Sequence, residues 1–413
     1  MKIITVIKTY SDLIKTTPLI HTFETYNNKN KPTDFEAGKD PLPIDYRLVH
    51  IGQNYDTRIS ESLRENPVIN DSCMCLDVGW GSPAEQLGHT MMAFEKVLYK
   101  ENPDWIVVTG HDNSALACSL SAKKLNTKIC RLEAGLRSKE KNSPDELNRQ
   151  LTDRLGDLLF TQDKLSNENL KAEGIAPSDI KFVGNIIVDS LKLNFQRASR
   201  TNLPVTLRSN LMAAYTHISD KRSSFLSSSG GFIDGFCLVS IFQGENIDKK
   251  DRLESLVDFL TGEVSGDMPV IWPVHSITQR MLQNFSLWEK LLTANNVILL
   301  HPLAHHEMLR LIMSAIITIT DSSTLQEECT TLGTPCLALK KHTERPLTLR
   351  EYGGTTVLTG NQTERIKKEY HENRRLNYQP GRPDFWDGKT AMRCLDAILE
   401  RETGLFQFSI NNK

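Results

Sequence analysis

The chain predicts an α/β protein built from two parallel sheets, each covered by helices on both faces. Three observations carry that expectation. Short apolar runs, as at residues 1–7, 105–109 and 236–242, recur at intervals that leave room for one helix between them, which is the spacing of βαβ units. The runs are apolar at nearly every position, as strands buried on both faces are. The pattern then stops in a serine- and glycine-rich stretch at 200–231 and resumes. That pause divides 413 residues into two domains.

The first strand is residues 1–7, and Ser11 or Asp12 is placed to cap a helix through Leu19 and Ile20. Residues 27–43 are rich in Asn, Lys, Pro and Asp and read as an exposed loop. A second strand at 46–51 ends at Gly52, and Cys73-Met-Cys75 reads as a packed strand. Helical spacing at 83–99 leads to the strand 105–109, which ends at Gly110-His-Asp-Asn-Ser114. A helix at 115–125, a strand at 128–132 and a helix at 145–159 behind Pro144 come next. One strand closes at Phe160 and another spans 180–184, before Asn185 and an apolar helix start. Gly52, Gly110, Gly135 and Gly184 all fall at strand carboxyl ends, where open α/β sheets bind ligands.

Within 200–231 a short helical stretch is expected at 207–215, and 223–231 has the composition of a flexible linker. Beyond it, strands are expected at 236–242, 270–272, 297–300, 316–319 and 335–339. Helices are expected at 308–315, from 320 to 328, and last at 387–402.

Composition excludes several classes of function. A formal net charge of −2 makes no electrostatic case for nucleic acid or an anionic membrane surface. The eight cysteines show no metal-binding spacing, and several sit inside apolar runs, where reduced thiols are expected. No secretory signal and no apolar run long enough to span a bilayer is present, so a soluble cytoplasmic protein is expected.

Two clusters carry chemistry. Glu133, Arg137, Asp145, Glu146 and Arg149 crowd the carboxyl end of a buried strand. A solvated, salt-bridged loop is the ordinary explanation of such a cluster. Thr320-Asp-Ser-Ser-Thr324 puts hydroxyls and backbone N–H groups at a helix start behind a strand, a ready anion site. Capping by Asp321 or Ser322 accounts for one hydroxyl; three in a row beside Arg345 favour a phosphate. Together the clusters suggest a nucleotide-sugar protein, with diphosphate and base on the second domain and sugar on the first.

At this point the motifs resemble a family. Leu132-Glu-Ala-Gly-Leu-Arg-Ser138 and Pro144-Asp-Glu-Leu-Asn-Arg149 look like the core signature of the non-hydrolysing UDP-N-acetylglucosamine 2-epimerases. Val183-Gly-Asn185 with Asp189, Pro273-Val-His275, Thr320-Asp-Ser322 through Gln326-Glu-Glu328, Leu332-Gly-Thr-Pro335, Thr343-Glu-Arg-Pro346 and Asp387-Gly-Lys-Thr-Ala391 continue it in order. The resemblance implies two Rossmann-like domains in a GT-B type arrangement with the active site in the interdomain cleft. Its boundaries would be 1–199, a linker at 200–231, and 232–386, with 387–413 packing back on the first domain. It further implies a cytoplasmic homodimer that takes a UDP-sugar, uses no cofactor or metal, and serves polysaccharide biosynthesis. The implied chemistry removes the sugar's C2 proton and expels UDP, which returns to the glycal with C2 inverted. That requires a base, an acid on the opposite face and stabilisation of the leaving diphosphate.

Carried over by position, Glu133 stands at the family's catalytic glutamate, and Asp145 at a second one, a methylene shorter. The family's aspartate behind the strand 105–109 falls at His111, with Asp112 one position later. Phe242 takes the place of a catalytic histidine. Lys8 and Lys15 partly replace the charge of an arginine missing from the first loop. On the UDP side Ser322, Glu328 (facing the ribose hydroxyls) and Arg345 match, Ser323 and Thr324 replace glycines, and Met308 replaces an aromatic near the base. Gln53, Arg137, Asn148, Arg149 and His275 complete the expected substrate-binding set. The changes at His111 and Phe242 leave two alternatives: a relative that eliminates, hydrolyses or transfers the sugar, and a non-catalytic nucleotide-sugar binder.

Overall fold

The computed structural model describes residues 1–30, 43–52, 73–79, 81–140, 143–212, 235–374 and 381–403. The chain forms two compact units, Met1–Leu193 with Pro383–Lys413, and Asn194–Arg382.

In the first unit seven parallel strands, β1 Lys2–Ile7, β2 Asp45–His50, β3 Cys73–Cys75, β4 Trp105–Val108, β5 Lys128–Leu132, β6 Leu158–Thr161 and β7 Ile180–Phe182, lie in the order β3-β2-β1-β4-β5-β6-β7. The helices are α1 Tyr10–Lys29, α2 Pro83–Glu101, α3 Asn113–Lys124, α4 Pro144–Leu155, α5 Lys164–Ala172 and α6 Ile186–Arg200. Side chains alternate across a strand, and both faces here are covered. Trp105 and Val107 pack with Ile3, Leu19 and Phe23 on one side. Ile106 and Val108 pack with Ile4, Phe94 and Cys118 on the other. This is why the strands read as unbroken apolar runs.

Helix α1 differs from expectation at both ends. Its N-cap is Thr9: the Thr9 hydroxyl accepts from Asp12 N, and the Asp12 carboxylate accepts from Thr9 N, so Asp12 is the third helical residue and neither it nor Ser11 is the cap. The helix also runs to Lys29, into the stretch read as loop, and passes through Pro18. Proline has no N–H for the carbonyl four residues back. That carbonyl, of Ile14, accepts from the Ser190 hydroxyl of α6 at 2.7 Å, so the interruption is compensated by a tertiary contact.

Helix α4 ends at Leu155 rather than 159, because 158–160 pair with Cys130–Leu132 and Gly156 is already extended. Asp189 of α6 is buried and accepts from Ala391 N at 2.9 Å, holding the last helix, Thr390–Thr403, against the first sheet. That helix starts three residues later than expected; the Asp387 carboxylate accepts from Lys389 N in the turn before it.

Most of the expected linker, including 223–231, lies outside the described residues. The short helix near it is α7 Leu203–Ser209, earlier than predicted. The second unit holds β8 Cys237–Ser240, β9 Val270–Pro273, β10 Val297–Leu300, β11 Ile317–Thr320, β12 Cys336–Ala338 and β13 Thr356–Leu358, parallel and in the order β10-β9-β8-β11-β12-β13. Strand β13 is three residues long and was not expected. Helices α8 Lys250–Phe259, α9 Ser276–Asn284, α10 His305–Ser314, α11 Ser323–Leu332 and α12 Thr363–Asn373 flank this sheet. Both units are thus Rossmann-like. In each, the strand order reverses beside the first strand, at β1/β4 and at β8/β11, which opens a crevice at the strand carboxyl ends.

Candidate active site

In the first unit the crevice is bounded by the loops after β1 and β4. The buried Asp12 carboxylate gathers Lys8 N, Thr9 N and the Thr9 hydroxyl at 3.2, 2.9 and 2.9 Å. Burial pushes its pKa up, and the nearby Lys15 ammonium opposes that. After β4, Asp112 is the N-cap of α3: its Oδ1 accepts from Ser114 N and Ala115 N, while its Oδ2 lies 3.4 Å from Lys8 Nζ. His111 turns elsewhere, its Nε2 3.6 Å from Asp145 Oδ2, with the side chains 41 % and 55 % exposed. Asn148, expected at the substrate, donates to the His111 carbonyl and to Asn113 Oδ1.

Glu133 follows β5 directly. Its φ is +59°, a left-handed conformation that costs a side-chain-bearing residue about 1–2 kcal/mol. Its carboxylate is 7 % exposed and accepts from Lys15 Nζ at 2.7 Å, the lysine being 5 % exposed. Buried, charged and strained together, this residue has the signature of a functional position.

The loop behind it is held by buried charges that the sequence left without partners. Asp153 of α4, 1 % exposed, accepts from Arg131 Nε, Gly135 N and Arg137 Nη1. Arg137 also meets both oxygens of Glu173, at 2.7 and 2.6 Å. Arg149 donates to Glu146, which accepts from Ser138 as well. The structure therefore directs Arg137 and Arg149, expected at the substrate, to carboxylates that shape the loop. Both arginines thus pair within the loop, whereas Glu133 is joined to a different helix, α1.

Gly135 is required by space. At φ +79° its Cβ would stand 2.3 Å from the Ser166 carbonyl oxygen. Gly135→Ala is expected to lower the stability of the first unit by about 2 kcal/mol or more. Denaturant titration checks it against Gly262→Ala, where an added Cβ meets nothing within 4 Å.

In the second unit the clamp across β8 and β11 is Asp321. Fully buried, it accepts from Phe242 N, Gln243 N and Asn246 Nδ2 at 3.1, 2.9 and 3.0 Å. Burial pushes its carboxyl up, and these donors oppose the shift. Sequence reading had offered Asp321 only as an alternative cap. The cap of α11 is Ser322, whose hydroxyl accepts from Leu325 N.

Ser323 donates to Glu344 at 2.6 Å and accepts from Lys340 Nζ at 2.7 Å. Three of the hydroxyls read as a phosphate signature, of Thr320, Ser322 and Ser323, thus have protein partners, and Lys340 adds an ammonium at the helix start that the sequence did not single out. Thr324 is half-buried in the same turn. Arg345 is buried against Glu327 at 2.6 Å, with Glu344 at 3.6 Å. Glu328 lies 2.7 Å from His305 Nε2, a partner absent from every motif. Met308, half-buried, follows His305 at i+3 on α10 and so shares its face. The His275 ring caps α9 and tilts against Phe242, centroids 5.7 Å apart. Gln53 lies outside the described residues. Among the described residues no helix is long and apolar enough to cross a membrane.

Each unit therefore offers a polar crevice at its switch point, with acid–base groups in the first and cations beside a helix start in the second. The family model for UDP-N-acetylglucosamine 2-epimerase matches residues 37–399. A Methanocaldococcus jannaschii protein described as a UDP-N-acetylglucosamine 2-epimerase is 31 % identical over 398 residues, 96 % of this chain and 98 % of that one. A Pseudomonas aeruginosa protein described as a UDP-2,3-diacetamido-2,3-dideoxy-D-glucuronate 2-epimerase is 32 % identical over 299 residues, 72 % of this chain and 75 % of that one. The crystal structure of the M. jannaschii epimerase in complex with UDP-GlcNAc and UDP superposes with a TM-score of 0.81 at 30 % identity, covering 96 % of this chain and 99 % of that one.

Proposed function

Because this chain belongs to the UDP-N-acetylglucosamine 2-epimerase family, we propose that it inverts C2 of UDP-N-acetylglucosamine or a close relative of that UDP-sugar. The enzyme removes the C2 proton as UDP departs and returns UDP to the resulting glycal after protonation from the opposite face. The observation that carries this reading is Glu133: buried, backbone-strained and paired to Lys15 at the end of β5. A carboxylate so placed costs the fold stability, and a base near a reacting carbon is the use that accounts for it. Lys15 balances its charge. Ser322, Ser323, Thr324, Glu328, Arg345, His275 and Met308 are assigned to UDP, with Lys340 added for the diphosphate. Elimination and re-addition are redox-neutral, so no cofactor is invoked.

The described relatives act on sugars differing at C3 and C6, so both 2-acetamido and 2,3-diacetamido UDP-sugars are substrates to try. A cytoplasmic homodimer is part of the same reading. Met92 and Tyr99, one face of α2, and Leu147 and Leu151, one face of α4, are exposed apolar groups suited to a second copy.

The test is incubation with each UDP-sugar in D2O, following C2 deuterium, free UDP and the manno epimer. Epimer carrying deuterium is the expected result. UDP with glycal or free sugar and no epimer indicates the eliminating or hydrolysing alternative. Saturable UDP binding without turnover leaves a binder, and no binding of any uridine nucleotide overturns the assignment.

A further inference from the structure

We infer that His111 and Asp145 act as one imidazole–carboxylate proton-transfer unit serving one face of the sugar's C2, with Asp112 outside the chemistry; the inference rests on the epimerase reading above. Two neighbouring residues behind β4 carry ionisable side chains, and the structure separates them. Asp112 is occupied at both oxygens, by two backbone N–H groups of α3 and by the Lys8 ammonium. It is a helix cap that joins the loops of β1 and β4. The His111 ring extends across to Asp145, and both side chains are accessible to a solute.

The backbone under that ring is held at three consecutive residues. Gly110 turns at φ +80° and its carbonyl accepts from Arg131 Nη2 at 2.5 Å. The His111 carbonyl accepts from the buried Asn148, and Asp112 caps α3. Asp145 is the second residue of α4, where the helix N-terminus favours a carboxylate. Several neighbouring charges are paired with one another: Lys8 with Asp112, Arg149 with Glu146, and Lys15 with Glu133; Asp12 is buried in its capping box. A fixed backbone, an accessible ring and a carboxylate beside it form the arrangement in which an acid orients an imidazole and balances its positive charge.

In the elimination direction the C2–H bond breaks and its proton passes to the His111 ring. The C–H electron pair becomes the C1=C2 bond as the C1–O bond to UDP breaks, and UDP leaves with the C1–O pair. To complete the inversion a protonated Glu133 delivers a proton to the other face of C2 as a UDP oxygen re-forms the bond to C1. In the reverse epimerisation Glu133 takes that proton as UDP leaves, and the imidazolium protonates C2 from the His111 face as UDP re-adds. Glu133 serves the opposite face. His111 is then a catalytic residue and Asp145 its positioning residue. Two carboxylates in these places would repel and share a proton; an imidazole and a carboxylate attract, so the pH dependence follows the imidazole.

The experiment compares wild type, His111→Gln, His111→Asp, Asp145→Asn and Asp112→Ser by C2 exchange in D2O, kcat against pH, and UDP affinity by calorimetry. His111→Gln should lower kcat about 100-fold with UDP affinity within about twofold. The wild-type profile should carry a limb that His111→Asp lacks. Asp145→Asn should lower kcat about tenfold and move the limb to lower pH, because the imidazolium loses its counter-charge; a purely structural carboxylate would leave the limb in place. Asp112→Ser, which keeps a capping oxygen, should hold kcat within about threefold. Retention of kcat within threefold in His111→Gln, or an unchanged limb in His111→Asp, overturns the inference and leaves the epimerase reading standing. Wild-type protein that binds UDP yet exchanges no C2 proton overturns both.

Discussion

Replacing Glu133 with glutamine is expected to lower turnover by about 10²–10⁴-fold, the range for loss of a positioned acid or base, while UDP affinity changes little. Glutamine preserves shape and can still accept from Lys15 Nζ, now 2.7 Å from the carboxylate, so the variant removes the proton-accepting charge and little else. Steady-state kinetics with calorimetric UDP binding separates a loss of chemistry from a loss of fold. A stability comparison at the same position tests the strain. Glu133→Gly should be more stable than Glu133→Ala by roughly 1 kcal/mol, because both remove the carboxylate while only glycine relaxes a φ of +59°. Equal stabilities would mean that the left-handed conformation carries no strain.

Asp153→Ala is expected to destabilise the first unit by about 3–5 kcal/mol, the cost of leaving buried charges without their partner. Arg131, 2 % exposed, loses the carboxylate at its Nε, Arg137 loses one of its three carboxylates, and Gly135 N loses its acceptor. For a unit of about 200 residues that shift lowers the melting midpoint by roughly 10 °C. With two units in the chain, calorimetry should show the first unit's transition moving while the second's stays in place. A change below about 1 kcal/mol would show that water replaces the carboxylate and that the network is not what holds the Glu133 loop.

Much of the fold was legible because buried parallel strands leave a continuous apolar signal. Strands β1, β4, β5, β8, β10 and β11 were located to within one or two residues on that ground. Strand β13 was not: three residues, the first of them a threonine, give no pattern, and only pairing with β12 makes them a strand. Helix α1 hid its start for a related reason. Ser11, Asp12 and Thr9 are all competent caps, and the capping box that selects Thr9 is a reciprocal pair of bonds rather than a composition. Its passage through Pro18 depends on Ser190, 172 positions away, so no local reading could have allowed it.

The site divides along the same line. Glu133 and Asp145 stood out as part of a charge cluster at a strand's carboxyl end, a place where ligands bind in open α/β sheets, whereas His111 was named only through the motif resemblance. The sequence also determined the two-sheet architecture and the family, since apolar periodicity and motif order are properties of the chain itself. Only the tertiary structure decided which charges belong together. It gave Lys15 to Glu133, Asp153 to Arg131 and Arg137, Asp321 to the β8 loop and His305 to Glu328. It also turned Asp112 into a cap and left His111 facing Asp145. The physical reason is that a buried charge is tolerable only beside a partner, and these partners lie on separate strands and helices, brought within hydrogen-bond range by sheet order and not by sequence spacing.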